Sequence, residues 1–202
     1  MQDLRADCAN CFGLCCVVPA FAASADFAVD KPAGRACLNL QPDFRCGIHT
    51  RLRPSGFSGC TVYDCFGAGQ KVSQQTFGGQ DWRSSPATAG IMFQVFPIMR
   101  DLQELLSYLV DALALTEPLT GGSIAALRRD LAQARDRVDE LTRCPPEELI
   151  GLDVGMQRQL VNPLLQKAGE RVRTAAWPKI KPKDRRGTDL IGAKLRGADL
   201  RA

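Results

Sequence analysis

Cysteine is the residue type whose number and spacing point most directly to chemistry in this chain. Nine cysteines occur among 202 residues, and eight of them fall before residue 66. Those eight are Cys8, Cys11, Cys15, Cys16, Cys37, Cys46, Cys60 and Cys65. Two residues separate Cys8 from Cys11 and four separate Cys60 from Cys65, so one turn could present two thiolates to one metal. Because thiolates are soft ligands, the pattern predicts zinc or an iron–sulfur cluster, with all eight side chains as candidate ligands.

The sequence leaves open how the eight sulfur atoms are shared. They would suffice for two sites of four sulfurs each, or for one site with spare redox-active thiols. Because Cys15 and Cys16 are adjacent, their side chains could serve different sites or bind around one cluster. The ninth cysteine, Cys144, stands apart beside Pro145, and we interpret it as structural.

Disulfide pairing is the main alternative for these thiols, and it requires an exported protein. The apolar stretch 11–25 could be a secretory signal, but Asp3 and Asp7 accompany Arg5 before it, where a signal carries positive charge. We therefore expect a cytoplasmic protein with reduced thiols. Burial of all eight as small hydrophobic residues fits poorly with their short spacings. No run of 18 apolar residues occurs, which predicts that the chain has no membrane span.

Histidine is scarce, which limits the catalytic chemistry that the sequence could support. The only one, His49, follows Cys46 at Cys-x2-His spacing and could ligate a metal or lie on the surface among arginines. A single histidine disfavours hydrolytic triads, so we expect a protein that is not an enzyme. The weaker alternative is a redox enzyme in which Cys15 or Cys16 is a reactive thiol.

Residues 1–85 are expected to form an irregular module, because glycine and proline turns interrupt every short apolar run. Such a segment has few ways to build a core of its own, so a bound metal would hold it together. Gly67 and Gly69 follow Cys65 closely, and we expect them to form tight turns and donate N–H groups to its sulfur.

Residues 86–175 carry helical periodicity and predict an all-α bundle of three helices. Apolar residues at spacings of three and four run over 98–113 and again over 124–141. A third helix is expected from Glu147 onward, kinked or split by Pro163. The narrow second series could pack within this chain or pair with a second copy, so a homo-oligomer is a further hypothesis.

The last two segments differ from both of these. Residues 176–187 are basic and contain two prolines, which predicts a solvated linker and not a nucleic-acid-binding surface. Residues 188–202 repeat every five residues, with Leu190, Leu195 and Leu200 at equivalent positions. A period of five fits neither a helix nor a flat strand, so it predicts a chain that turns a corner at each repeat.

Two parts of the chain resemble known families. The run Cys8–Cys16 with the four later cysteines resembles the CxxCxxCC cysteine-cluster family of zinc- or iron-chelating domains, over roughly residues 5–80. Members carry eight cysteines and some relatives hold an iron–sulfur cluster, so the resemblance implies the same eight ligands. This chain has three residues between Cys11 and Cys15 where the family usually has two. The tail 188–202 resembles the pentapeptide-repeat family, which implies a right-handed quadrilateral β-helix.

The whole arrangement is similar to actinobacterial proteins that join a cysteine-rich domain to pentapeptide repeats. It predicts a mixed fold: an irregular cysteine-rich module, an all-α helical bundle and the start of a β-helix. The leading functional hypothesis is a metal-binding protein that is redox-responsive if its metal is an iron–sulfur cluster. The alternative is a non-enzymatic adaptor that binds a protein partner through its helices and repeat tail.

Overall fold

The computed structural model of the chain describes residues 4–176 and 188–196. Its regular structure is helical, and three of the helices are long. The α-helices are α1 Leu14–Val17, α2 Ala68–Gln70, α3 Pro86–Thr116, α4 Gly122–Leu141, α5 Pro146–Ile150 and α6 Val154–Ala176. A π-helical turn, Lys71–Thr76, continues α2. Short 3-10 turns lie at Cys8–Asn10, His49–Arg51 and Ser58–Thr61.

Helix α3 is the element against which the other helices pack. It begins at Pro86, a residue well suited to the first helical position because its missing N–H would be unpaired there anyway. It starts well before Ile98, the first apolar residue of the predicted helix, and it accommodates Pro97 internally. Its buried apolar residues are Met92, Val95, Phe96, Met99, Leu102, Leu105, Leu106, Leu109 and Ala112. Full burial of one such large side chain stabilises the fold by about 1.5–3 kcal/mol, so this face contributes much of the core.

Helices α4, α5 and α6 complete the helical part. Helix α4 covers the second apolar series, and α5 carries Glu147 and Glu148 in its first turn, where the helix dipole favours negative charge. A kink or a split was predicted at Pro163, and the split is wrong because helix α6 continues through this residue. The helical structure is interrupted at 151–153 instead, between the end of α5 and the start of α6. There Asp153 Oδ1 accepts a hydrogen bond from the Met156 N–H at 3.1 Å and caps α6.

One hydrophobic core joins the cysteine-rich segment to the helices. Leu14 and Val17 of α1, Ala68 of α2 and Val72 of the π-helical turn are fully buried in the same cluster as the inner face of α3. A second, smaller core lies within the cysteine-rich segment. Its buried residues are Ile48, Leu52 and Phe57, with Phe21, Phe27, Val29, Cys37 and Cys46 packed against them.

The expected mixed fold with the start of a β-helix is wrong. In the described residues we find no β-strand, only two isolated bridges, Phe21 to Lys31 and Leu40 to Cys46. Residues 188–196, the described part of the predicted repeats, contain a turn and no strand, and Ile191 is 93% exposed. A repeat coil gains its stability from stacked neighbouring turns, and this segment has none described beside it. The predicted linker beyond residue 176 and the last repeat, 198–202, lie outside the described residues.

A spanning helix needs about 20 mainly apolar residues. Within the two described ranges, no helix combines enough length with enough apolarity to cross a membrane.

Candidate metal centre

All eight predicted ligand cysteines line one cavity, although they are spread over residues 8–65. The cavity has a volume of about 560 Å³, and Arg45, His49 and Tyr63 also line it. This volume lies within the range of about 300–1,000 Å³ that is usual for small-molecule and cofactor sites. All nine cysteines are free thiols, and Cys144 lies elsewhere, with its Sγ 3.9 Å from the Glu140 carbonyl oxygen.

Helix α1 is set into the cavity wall by a glycine turn. Gly13 has φ +66°, a left-handed conformation that glycine adopts without strain. The N–H groups of Gly13 and Leu14 donate to the Cys11 sulfur, which favours its thiolate form. Leu14 is fully buried in the main core, and this anchors the short helix that carries Cys15 and Cys16.

The turn that carries Cys8 is tied to the segment that follows Cys65. The Asp7 N–H donates to Gln70 Oε1 at 3.1 Å, and Gln70 Nε2 donates to the Arg5 carbonyl oxygen at 2.7 Å. Four residues beyond Cys8, the Phe12 N–H donates to Ser73 Oγ at 3.0 Å. These bonds span more than 60 residues of sequence, so they fix the first cysteines by tertiary contact and not by local structure.

The glycines after Cys65 approach two sulfur atoms closely. The N–H groups of Gly67 and Gly69 donate to Cys65 Sγ, which confirms the donation expected from the sequence. Gly67 has φ +81° and so permits the tight turn into α2. A β-carbon on Gly69 would lie 2.6 Å from Cys11 Sγ and 3.9 Å from Cys65 Sγ, so both sulfurs lie close to this glycine.

The opposite wall is aromatic. The rings of Phe21 and Phe27 are stacked with centroids 4.3 Å apart, and Phe57 packs edge-on against both. These rings line the cavity and form the smaller core, against which Cys37 and Cys46 pack. The aromatic wall therefore holds part of the cysteine set without any regular secondary structure.

A buried lysine adds positive charge beside this wall. Lys31 is 5% exposed, and its three ammonium donors are all satisfied by backbone carbonyl oxygens. The acceptors are Val17 O at 3.1 Å, Pro32 O at 3.2 Å and Arg35 O at 3.0 Å. Burial lowers the pKa of Lys31, whereas the nearby Cys37 and Cys16 side chains act in the opposite direction. The ammonium group is thus close enough to these cysteines to stabilise negative charge on sulfur.

Six of the cavity thiols have raised pKa values and so resist deprotonation unless a cation compensates them. Burial is the main cause of raised pKa values in five of them, namely Cys8, Cys11, Cys46, Cys60 and Cys65. The pKa values of Cys11 and Cys60 are raised to about 11. The pKa of Cys15 is raised by its hydrogen bond with Cys16, then by burial and by the charge of Cys16. A metal cation would reverse this preference, because thiolate ligation drives off the proton.

One pair of sulfurs can be compared with the spacing that a zinc ion requires. Two thiolates on one tetrahedral zinc ion lie about 3.8 Å apart, given a Zn–S distance of about 2.3 Å. Cys15 Sγ and Cys16 Sγ are 4.0 Å apart. Yet in the part of the chain that the structure describes, no three His, Cys, Asp or Glu side chains are grouped as a single ion requires. Sulfurs spread around a wide cavity fit better with a polynuclear cluster, whose iron–sulfide core separates its cysteine ligands.

Two residues of the site have no signal in the sequence. Lys31 stands in a Lys-Pro turn, where nothing predicts that its long side chain is buried beside Cys37. Arg100 lies within the apolar periodicity of α3, 35 residues after Cys65, yet its guanidinium group contacts the loop that carries this cysteine. Both positions depend on tertiary packing, so neither local composition nor spacing could reveal them.

The fold and the cavity define an all-α protein with an irregular, cysteine-rich segment built onto a helical core. The chain is 51% identical over 196 residues to "Uncharacterized protein YybG" of Bacillus subtilis (strain 168), a match that covers 96% of this chain and 68% of that protein. The chain therefore belongs to the YybG family. No model of a known protein family matches the chain, and no solved structure matches it. The resemblances to the cysteine-cluster and pentapeptide-repeat families are not tested by these comparisons.

Proposed function

We propose that this protein binds an iron–sulfur cluster through cysteine thiolates in the cavity between the two hydrophobic cores. The proposal rests on one observation: all eight cysteines of the first 65 residues line that single cavity. The candidate ligands are Cys8, Cys11, Cys15, Cys16, Cys37, Cys46, Cys60 and Cys65, of which one cluster would take four. When bound, such a cluster supplies one-electron redox chemistry.

The protein's own groups would control how the cluster behaves. Backbone N–H groups donate to the sulfurs of Cys11 and Cys65, and the N–H of Ile48 donates to that of Cys46. Hydrogen bonds to ligand sulfurs disperse their negative charge and help set the reduction potential. The aromatic wall excludes water from one side, which raises the electrostatic effect of nearby charges. These features favour a role in electron transfer or redox sensing over a purely structural one.

Anaerobic preparation of the full chain tests the proposal. Protein purified without oxygen and reconstituted with ferrous iron and sulfide is expected to be coloured and to contain both elements in stoichiometric amounts. The Cys144→Ser variant is the matched control, because Cys144 does not line the cavity, and it is expected to retain the full content. Stoichiometric zinc without iron or sulfide would contradict the proposed cluster and show that the cysteines bind zinc. Colourless protein without any stoichiometric metal would reject thiolate metal binding altogether.

The cytoplasmic location, the adaptor role and a protein or second-copy partner stay predictions. His49 lies at the cavity wall, a position that is compatible with metal ligation. The eight cysteines already supply enough ligands, so the proposal does not require His49. A redox enzyme based on Cys15 is disfavoured, because its raised pKa opposes the thiolate form that a nucleophile needs.

A further inference from the structure

We propose that the buried ammonium group of Lys31 is the built-in counter-ion of the bound cluster and raises its reduction potential. The inference rests on the proposed cluster and goes further, because it names the side chain that controls how readily the site accepts an electron. Lys31 acts through its positive charge and is not a ligand.

Backbone carbonyl groups from two segments hold the ammonium group in place. Lys31 Nζ donates to the carbonyl oxygens of Val17 at 3.1 Å, Pro32 at 3.2 Å and Arg35 at 3.0 Å. Two backbone hydrogen bonds of 2.8 and 3.0 Å pair Lys31 with Phe21, and Nζ lies 5.3 Å from the centroid of the Phe21 ring. An ammonium group has three donors, so all of them are satisfied and the group is held in one position.

The same contacts place the ammonium group beside two candidate ligands. Val17 directly follows Cys16 in α1, and Arg35 lies two residues before Cys37. The Cys37 N–H donates to the Cys16 carbonyl oxygen at 2.9 Å, so the backbones of the two cysteines are in direct contact. Cys37 and Cys16 are also the side chains whose charges act on Lys31. The positive charge is therefore fixed next to the part of the cavity wall that these two cysteines form.

No carboxylate balances the charge of Lys31. Within residues 4–176 and 188–196 it forms no ion pair, and its three acceptors are neutral carbonyl groups. The adjacent carboxylate, Asp30, instead accepts a hydrogen bond from the Ala23 N–H at 2.8 Å. Removing a charge from water is costly unless an opposite charge compensates it. Ligation of a metal by thiolates places negative charge in the cavity and would supply this compensation.

A fixed positive charge favours the more negative of two oxidation states. When an external one-electron donor reduces the site, one electron enters and the net charge becomes one unit more negative. No proton moves and no bond forms or breaks, so the ammonium group is the same in both states. Charges attract strongly in a protein interior of low dielectric constant, so Lys31 stabilises the reduced state more than the oxidised one. Net charge is among the factors that set the reduction potential of a cluster.

A purely structural role is the competing explanation, because the hydrogen bonds of Lys31 join α1 to residues 32–35. The two roles need different properties of the side chain. A structural role needs the donors, whereas a counter-ion needs the positive charge. Lys71 offers a matched control, since it is similarly buried, with 4% exposed against 5% for Lys31, and does not line the cavity. The charges that act on Lys71 are those of Asp139 and Arg143.

Redox titration of the loaded full-length protein tests the inference. Each variant is reconstituted anaerobically with ferrous iron and sulfide, and its reduction is followed by visible absorption at neutral pH. Lys31→Met removes the charge and keeps a long side chain, so it is expected to shift the equilibrium about tenfold towards the oxidised form, or about 59 mV for one electron. Lys31→Arg keeps the charge and is expected to have a potential close to that of wild type. Lys71→Met is expected to leave the potential unchanged.

Three results would overturn the inference while the proposed function stands. They are an unchanged potential in Lys31→Met, equal decreases in Lys31→Met and Lys31→Arg, or an equal decrease in Lys71→Met. If Lys31→Met does not fold by circular dichroism or takes up no cluster, Lys31→Gln replaces it, because an amide keeps two donors without the charge. Wild-type protein that takes up no iron and sulfide would refute the proposed function itself, and the counter-ion role would fall with it.

Discussion

Arg100 Nε on helix α3 donates to the carbonyl oxygen of Asp64 at 3.2 Å. The same guanidinium group lies over the rings of Tyr63 and Phe66, 5.9 and 5.4 Å from their centroids. Arg100 therefore holds the residues on both sides of Cys65 against helix α3, and we call this set of contacts the clamp. The clamp is itself supported from α3, because Arg100 forms an ion pair with Glu104.

The Arg100→Ala variant is expected to release metal faster than wild type while keeping its helical content. The loss of one charge-assisted hydrogen bond, two cation–π contacts and the ion pairs with Asp101 and Glu104 at a partly exposed site costs about 1–2 kcal/mol of folding free energy. Metal transfer to a chelator, followed by visible absorption, measures the release. Arg135→Ala is the control, because Arg135 pairs with its neighbour Asp136 on α4, away from the cavity. Equal release rates in the two variants would show that the clamp does not hold Cys65.

Gly69→Ala tests the close approach of backbone to sulfur. An added β-carbon 2.6 Å from Cys11 Sγ forces that sulfur or the helix turn to shift. We expect a large fall in metal content per chain, measured by elemental analysis, with an increase in Cys11 alkylation. Gly90→Ala is the matched control, since its β-carbon meets nothing within 4 Å. In that helix interior alanine is favoured over glycine by about 0.5–1 kcal/mol, so the control should be as stable as wild type or more so.

The raised thiol pKa values predict how stability of the metal-free protein depends on pH. A folded-state pKa above the ordinary thiol value of 9.0 contributes stability below that value, and the contribution is lost as pH rises through the folded pKa, about 11 for Cys11 and Cys60. The lowered pKa values of Lys31 and Lys71 act in the opposite direction, but the cysteines outnumber them. Chemical denaturation is therefore expected to show lower stability at pH 10.5 than at pH 8. The loss should shrink in metal-loaded protein, whose thiols are already deprotonated.

Metal affinity is expected to depend on pH with the reverse sign. Because each ligating thiol must lose a proton, the affinity for Zn²⁺ rises with pH, and it should continue to rise above pH 9 where an ordinary thiol would level off. Competition with a chromophoric chelator between pH 7 and pH 10 measures this slope. A slope that disappears above pH 9 would indicate thiols with ordinary pKa values and would contradict the burial described above.

Leu109→Ala tests the helical core independently of the metal. Leu109 is completely buried on α3, and a leucine-to-alanine change in a core costs about 2–5 kcal/mol through lost burial and the cavity that remains. Denaturant unfolding of the metal-loaded protein measures the change. Leu115→Ala on the same helix is the control, because Leu115 is 58% exposed, and its effect should stay within about 0.5 kcal/mol. Similar effects at the two positions would contradict the described packing of α3.

The failures of sequence-based prediction share a physical cause. The five-residue period of 188–202 suggested a β-helix, but a coil of that kind depends on stacked turns, and residues 188–196 form only an exposed turn. Pro163 suggested a kinked or split helix, but α6 continues through this residue, so the split does not occur. Each pattern expresses a local tendency, and a local tendency does not by itself decide the conformation of the folded chain.

The sequence by itself determined which atoms could bind a metal and where long helices form. Thiolate chemistry belongs to the cysteine side chain, and apolar spacing creates a face that must be buried, so both are readable from residue types and intervals. Only the tertiary structure decided that the cysteines meet in one cavity and that Lys31 and Arg100 stand beside them. It also packed Cys11 and Cys65 against one hydrophobic core and Cys37 and Cys46 against the other. Those relationships arise from packing between segments far apart in the chain, which no local spacing encodes.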